Sequence, residues 1–283
     1  MTIAPTPDTR APDWLTVVSR DAPLVVSFPH TGTLIPDEFL GPLVSPWMAR
    51  KDADWWIDRL YDFVHDLGAT VVHTAISRTV IDVNRDPSGQ SLYPGQATTG
   101  LCPTTSFDGE ALYTAGAEPS PADIAGRRQR FFEPYHAALA QEIARLRRHH
   151  PTVVVYDCHS IRSGIPRLFD GELPQFNIGT NSGASCDPAL AEGTARRCAA
   201  SGLSWVSNGR FKGGFITREY GRPEDGVHAI QMELACRGYM REPTGAVGPE
   251  NWPSPFDPAV AAPVRATLSA ILDHCLAFAQ SHG

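Results

Sequence analysis

Paired cysteine spacing, long apolar runs and basic clusters are all missing from this chain, and each absence removes a class of protein. Its six cysteines, Cys102, Cys158, Cys186, Cys198, Cys236 and Cys275, are scattered without a CxxC, so neither a zinc ribbon nor a disulfide framework is indicated. No apolar stretch is long enough to span a bilayer, and the first residues show no basic segment followed by an apolar run. A reduced cytoplasm is the expected setting. The net charge is −7 and no Lys/Arg run occurs, so neither a nucleic-acid nor a membrane partner is expected. An acidic chain that binds an acidic small molecule has to gather positive charge locally, and Arg78, Arg85, Lys212 and Arg218 are the candidates.

Several catalytic signatures are missing too. There is no G-x-S-x-G elbow and no GxGxxG or Walker sequence after a strand. Cys158 and His159 are adjacent on or just after a strand, where neighbours face opposite ways, so they make a poor nucleophile–base pair.

What is present is an ordinary globular composition, 42% hydrophobic and 19% charged, over 283 residues. Strand patterns alternate with helical ones: strands over 23–28, 69–76, 79–83, 152–156 and 227–234, helices over 52–67, 123–149, from 187, and over 263–282. The expected fold class is α/β, a mixed, mostly parallel twisted sheet with helices on both faces. No repeat or internal boundary interrupts it, so residues 1–283 read as one domain with a Pro-rich lead-in over about 1–14. The Gly/Pro/Ser/Thr-rich stretch from Asp86 to Pro121 reads as a long functional loop, with Tyr93, Thr98 and Thr99 as its lid candidates.

Ligands of open α/β sheets sit at the carboxyl ends of the strands. Three polar groups fall there: His30 after the first strand, Asn84-Arg85 after 79–83, and His159 after the central strand. Arg offers a two-pronged clamp for a carboxylate, and Asn adds a neutral donor. Two imidazoles at equivalent strand ends, with carboxylates nearby, point to a metal. Imidazole and carboxylate suit Zn²⁺, whose catalytic sites use three protein ligands and one open position. The carboxylate is Asp52 or Asp54: helical facing places Asp52 beside Trp56 and Leu60, whereas a helix starting at Asp54 leaves that side chain free. Glu233, inside an apolar strand and on the same side as Gln231, is the candidate general base. A non-haem iron site and a metal-free binder of an acidic metabolite remain alternatives.

Ser27-Phe-Pro29-His30-Thr-Gly32, Asp52-Ala-Asp54-Trp55, the run from Ser77 to Arg85, and Thr98-Thr99-Gly100-Leu101 together resemble N-formylglutamate amidohydrolases. So do Asp157-Cys-His159-Ser160, the run from Phe211 to Gly221, and His228-Ala-Ile-Gln-Met-Glu233-Leu. The resemblance implies hydrolysis of N-formyl-L-glutamate to L-glutamate and formate, at the end of one route of histidine degradation, with a zinc amidohydrolase for another N-acyl amino acid as the alternative. It also implies a fold related to zinc carboxypeptidases and succinylglutamate deacylases, of the phosphorylase/hydrolase-like type. By that resemblance Zn²⁺ is held by His30, Asp54 and His159, Glu233 is the base, and Arg78 assists the oxyanion. Asn84, Arg85, Arg218, Lys212 and Thr99 are then the substrate contacts. One departure is visible: the related enzymes pair His-x-x-Glu, and position 33 here is Thr.

Overall fold

Seven strands form one sheet in the order β1-β3-β2-β4-β7-β5-β6: β1 Leu15–Val18, β2 Leu24–Phe28, β3 Thr70–Thr74, β4 Val153–Ile161, β5 Phe176–Gly179, β6 Trp205–Ser207 and β7 Val227–Ala235. The structure is a computed structural model that describes residues 12–91, 95 and 97–281. The lead-in up to residue 11, and Tyr93, lie outside the described residues. The central strands β3, β2, β4 and β7 run parallel, with antiparallel pairings of β1 to β3 and of β5 to β7, so the sheet is mixed and mostly parallel. β2, β4 and β7 are buried on both faces, which explains why they read as near-continuous apolar runs.

Two apolar layers cover the sheet. Val25, Val72, Val153 and Val155 pack with Tyr135, Leu139 and Ile143 of α3 (Glu133–Arg147) on one face. Val26, Val154, Tyr156 and Ile230 pack on the other with Leu190 of α4 (Pro188–Ala200) and with Leu268 and Ile271 of α6 (Pro258–Ser281). For this purpose α1 is Ile57–Leu60, α2 Pro121–Arg127 and α5 Phe215–Tyr220. Among the described residues, no helix is long and apolar enough to cross a membrane.

Three expected elements take a different form. Residues 79–83 are not a strand. Val80, Ile81 and Val83 are buried, but the backbone follows local turns: Asp82 N donates to Leu101 O at 2.7 Å and Asn84 N to the Asp82 carboxylate at 2.9 Å. The β-branched pattern reported burial, not pairing. The helix expected over 52–67 is broken, because Trp56 adopts a left-handed backbone (φ 63°), leaving only α1 and a 3₁₀ turn at Asp62–His65. The helix over 123–149 is continuous in direction but contains a π segment, Arg128–Phe132, between α2 and α3. The loop from Asp86 to Ser120 carries no helix or strand among its described residues, as expected from its composition.

A candidate metal centre and its anion cleft

Parallel β2, β4 and β7 end at one edge of the sheet, and this edge collects the polar side chains. His30 follows β2 by two residues, and His159 in β4 is the register partner of Glu233 in β7. Strand alternation sends Asp157 and His159 to the same side, while Cys158 points into the apolar layer beneath. Asp54 arrives from the broken segment ahead of α1; its backbone N–H donates to His30 O at 2.9 Å, which ties the two loops together.

His30, Asp54 and His159 are each at most 2% exposed, and one ligand atom from each lies within 4.8 Å of the others. The other imidazole nitrogens are held from behind. His30 Nε2 donates to Asp82 Oδ1 at 2.6 Å, and His159 Nε2 to Asp157 Oδ2 at 2.8 Å. That arrangement turns both Nδ1 atoms toward Asp54, at 3.8 Å from His30 and 3.1 Å from His159. His30 Nδ1 and Asp54 Oδ1 are buried without a hydrogen-bond partner. A buried, unpartnered imidazole nitrogen facing a carboxylate fits a cation of the zinc type, and carboxylates behind ligating histidines are the usual support of such sites.

The electrostatics are those of a compact charge cluster. Burial lowers the His30 pKa to about 4, with the Arg78 guanidinium acting the same way against Asp82. Burial also acts against the charged form of His159, but Asp157 and Asp54 together outweigh it and hold that imidazole well above its ordinary value. Asp82 is held well below the carboxylate range: burial opposes ionisation, and Arg85, His30 and Arg78 overrule it. Burial raises Glu233 to about 7, partly countered by His159 and reinforced by Asp54. A carboxylate near neutrality at the mouth of such a cluster is suited to moving a proton.

A cleft opens over this floor, with about 560 Å³ of empty space including its mouth. His30, His159, Glu233 and Gln231 line its base, Arg78, Arg85 and Arg210 supply positive charge, and Thr98 and Thr99 close one side. Arg78 Nη2 donates to Asp82 Oδ2 at 2.7 Å, and its Nη1 lies 3.7 Å from Asp54 Oδ1. Arg85 is braced by Thr99, whose carbonyl and hydroxyl oxygens both accept at 3.2 Å.

With this geometry in place, likeness to known proteins becomes informative. A family profile described as N-formylglutamate amidohydrolase matches residues 22–240. The chain belongs to that family. It is 46% identical over 257 residues to proteins named N-formylglutamate deformylase from Pseudomonas aeruginosa and Pseudomonas putida, covering 90% of this chain and 93% of each relative. Among solved structures it is similar to an N-formylglutamate amidohydrolase from Ralstonia eutropha, with a TM-score of 0.76 and 23% identity, covering 95% of this chain and 99% of that one. A gene product of Agrobacterium tumefaciens shares the fold at a TM-score of 0.63 and 18% identity, covering 94% of each chain.

The two candidate carboxylates, Asp52 and Asp54, lie in different places. Asp54 joins the two histidines; Asp52 turns away, accepting from Phe107 N at 2.6 Å and lying 3.5 Å from Arg162. The left-handed backbone at Trp56 breaks the helix on which Asp52 would have shared a face with Trp56 and Leu60. Asn84 is at the cleft, but its amide is engaged: Nδ2 donates to Asp157 Oδ2 at 2.9 Å and Oδ1 accepts from Ile216 N at 2.8 Å. Gly214 makes that packing possible, since a Cβ there would meet the Asn84 amide at 2.5 Å. Lys212 and Arg218 are not among the residues lining the cleft; Arg218 Nε donates to Gly213 O at 3.0 Å. Arg210 takes that position, and sequence reasoning missed it, along with the supporting roles of Asp82 and Asp157. Strand alternation could have found Asp157, two residues before His159. Nothing local distinguishes Arg210 from its neighbours.

Proposed function

We propose that this chain hydrolyses N-formyl-L-glutamate to L-glutamate and formate at this cleft, as a single metal-dependent amidohydrolase domain. The observation that carries the reading is the buried His30–Asp54–His159 cluster, with an unpartnered His30 Nδ1, at the floor of a cleft walled by three arginines. His30, Asp54 and His159 would hold Zn²⁺, which when bound supplies a Lewis acid and makes water nucleophilic near neutral pH. Glu233, raised to about 7, takes the proton of the attacking water and returns it to the departing amine. Arg78, beside Asp54, faces the negative charge that develops on the formyl oxygen. Arg85 and Arg210 receive the substrate's two carboxylates, with Thr99 bracing Arg85.

An acidic chain thereby presents a cationic cleft to a dianionic substrate. The reaction would serve the last step of a histidine-degrading route in the cytoplasm, a setting that suits six buried free cysteines.

Formate release from N-formyl-L-glutamate, followed alongside the zinc content of protein purified without chelators, tests the reading. About one zinc per chain and turnover abolished by chelation are expected. Turnover that persists in metal-free protein would overturn the metal assignment, and absence of turnover in zinc-loaded protein would overturn the substrate.

A further inference from the structure

Buried Lys51 and partly buried Asp52 are charges that the reaction above does not use, and both hold one short turn. Residues Ser106–Glu110 form a tight reversal: Ser106 N donates to Glu110 O at 2.8 Å, and Gly109 supplies a left-handed corner (φ 92°). Lys51, 3% exposed, pairs with Asp108 at 2.6 Å and with Glu110 at 2.5 Å. Arg162 pairs with the same Asp108 at 2.6 Å, and Asp52 Oδ2 accepts from Phe107 N at 2.6 Å. The product of this clamping is the position of one aromatic ring. Phe107 is 7% exposed, lines the cleft, and lies with its ring 4.8 Å from the Arg78 guanidinium, which itself neighbours Asp54.

Phe107 thus lines the cleft beside Arg78, which itself lies 3.7 Å from Asp54, and in the proposed reaction the acyl carbon sits at this end. A formyl carbon carries only hydrogen where an acetyl or succinyl group carries carbon. A flexible wall could yield to a methyl group. This one is braced from the segment that also bears Asp54: Asp52 accepts from Phe107 N, and buried Lys51 holds the exposed Asp108 and Glu110, so extra volume meets a ring that cannot retreat without straining those contacts. We infer that Phe107 is the residue that restricts the acyl group to formyl, and that Asp52 is a positioning residue that holds it there. The inference rests on the proposed amidohydrolase reading and sharpens its substrate class.

The test is the ratio of kcat/KM for N-acetyl-L-glutamate to that for N-formyl-L-glutamate, measured with the zinc-loaded wild type and with Phe107→Ala and Phe107→Leu. Calorimetric Kd values for N-acetyl-L-glutamate accompany it. Removing the ring is expected to raise the ratio by roughly 10- to 200-fold, the range that a methylene-sized pocket change commands. Tighter binding of the acetyl compound should go with it, and Leu should give a smaller gain in the same direction. Asp52→Ala should move the ratio the same way by less, while Asp52→Asn, which keeps an acceptor for Phe107 N–H, should restore it. A ratio and Kd within about twofold of wild type in folded Phe107→Leu and Phe107→Ala proteins would overturn the inference. If the wild type releases no formate, the proposed function falls, and the Kd comparison alone then decides whether Phe107 is the wall.

Discussion

His136 and the pair His30/His159 are all desolvated imidazoles beside the same sheet, yet one is a structural peg and the others form a centre. His136 Nε2 donates to Val83 O at 2.7 Å and its Nδ1 meets Tyr220 OH at 2.9 Å, so both nitrogens have neutral partners, between the rings of Phe132 and Tyr220. Burial then dominates and lowers its pKa to about 4. At the cleft edge, by contrast, carboxylates back each imidazole and one nitrogen is left without a partner. Burial of a histidine is thus uninformative by itself. What distinguishes a site is charge that the fold has gathered without satisfying, because an unpaired buried polar atom costs about 1–3 kcal/mol unless a ligand completes it.

Removing the completing group should separate the two regions most sharply. Asp54→Asn or His159→Ala is expected to lose bound zinc and to lower kcat/KM by ~10³-fold or more, since the cation is asked for several kcal/mol of transition-state stabilisation. His136→Gln should leave zinc content and kcat/KM unchanged. Metal analysis beside steady-state kinetics reads both.

Glu233→Gln is the next largest effect, a fall in kcat of ~10²-fold or more with zinc retained. In the wild type, the acidic limb of kcat/KM should have an apparent pKa no higher than about 7, because burial raises this carboxyl and a bound cation can only lower it. The variant should lose that limb. A kcat within tenfold of wild type would remove Glu233 from the role of base.

Supporting carboxylates should produce smaller, graded losses. Asp82→Asn and Asp157→Asn are each expected to weaken zinc binding by roughly 10- to 100-fold, measured by competition with a chromophoric chelator. Unchanged affinity would mean that the two carboxylates pack the loops and do no more.

The smallest effect concerns stability and belongs to His136. Its imidazole titrates near 6.5 when unfolded and near 4 when folded, so between those values the unfolded chain binds more protons. Stability is therefore complete above pH 6.5 and is lost as pH falls toward 4, by about 1–3 kcal/mol for this group. His136→Gln should flatten that part of the pH dependence of urea unfolding, relative to wild type.

Much of this molecule could be read before folding. β4 and β7 were legible because a strand buried on both faces must be apolar throughout, and Asp187-Pro188 marked the start of α4, where the Asp187 side chain accepts from Ala189 N at 2.7 Å. The meeting of His30, His159 and Glu233 at one sheet edge was legible because the parallel strands that carry or precede them end there, and the structure places all three in the cleft lining. Residues 79–83, expected as a strand, are buried but follow turns instead, with Asp82 N bonded to Leu101 O.

By itself the sequence determined the class of fold, the edge of the sheet that gathers polar side chains, and the residue types chemically able to hold a cation and an acidic molecule. These depend on periodicity and side-chain chemistry, which are local. Only the tertiary structure placed Asp54 and not Asp52 beside the two histidines, brought Arg210 and not Lys212 or Arg218 to the lining of the cleft, and set Asp82 behind His30. Those choices turn on where a left-handed Trp56 breaks the chain and on contacts between segments distant in sequence, such as His159 and Asp54 (105 residues). No local pattern records them.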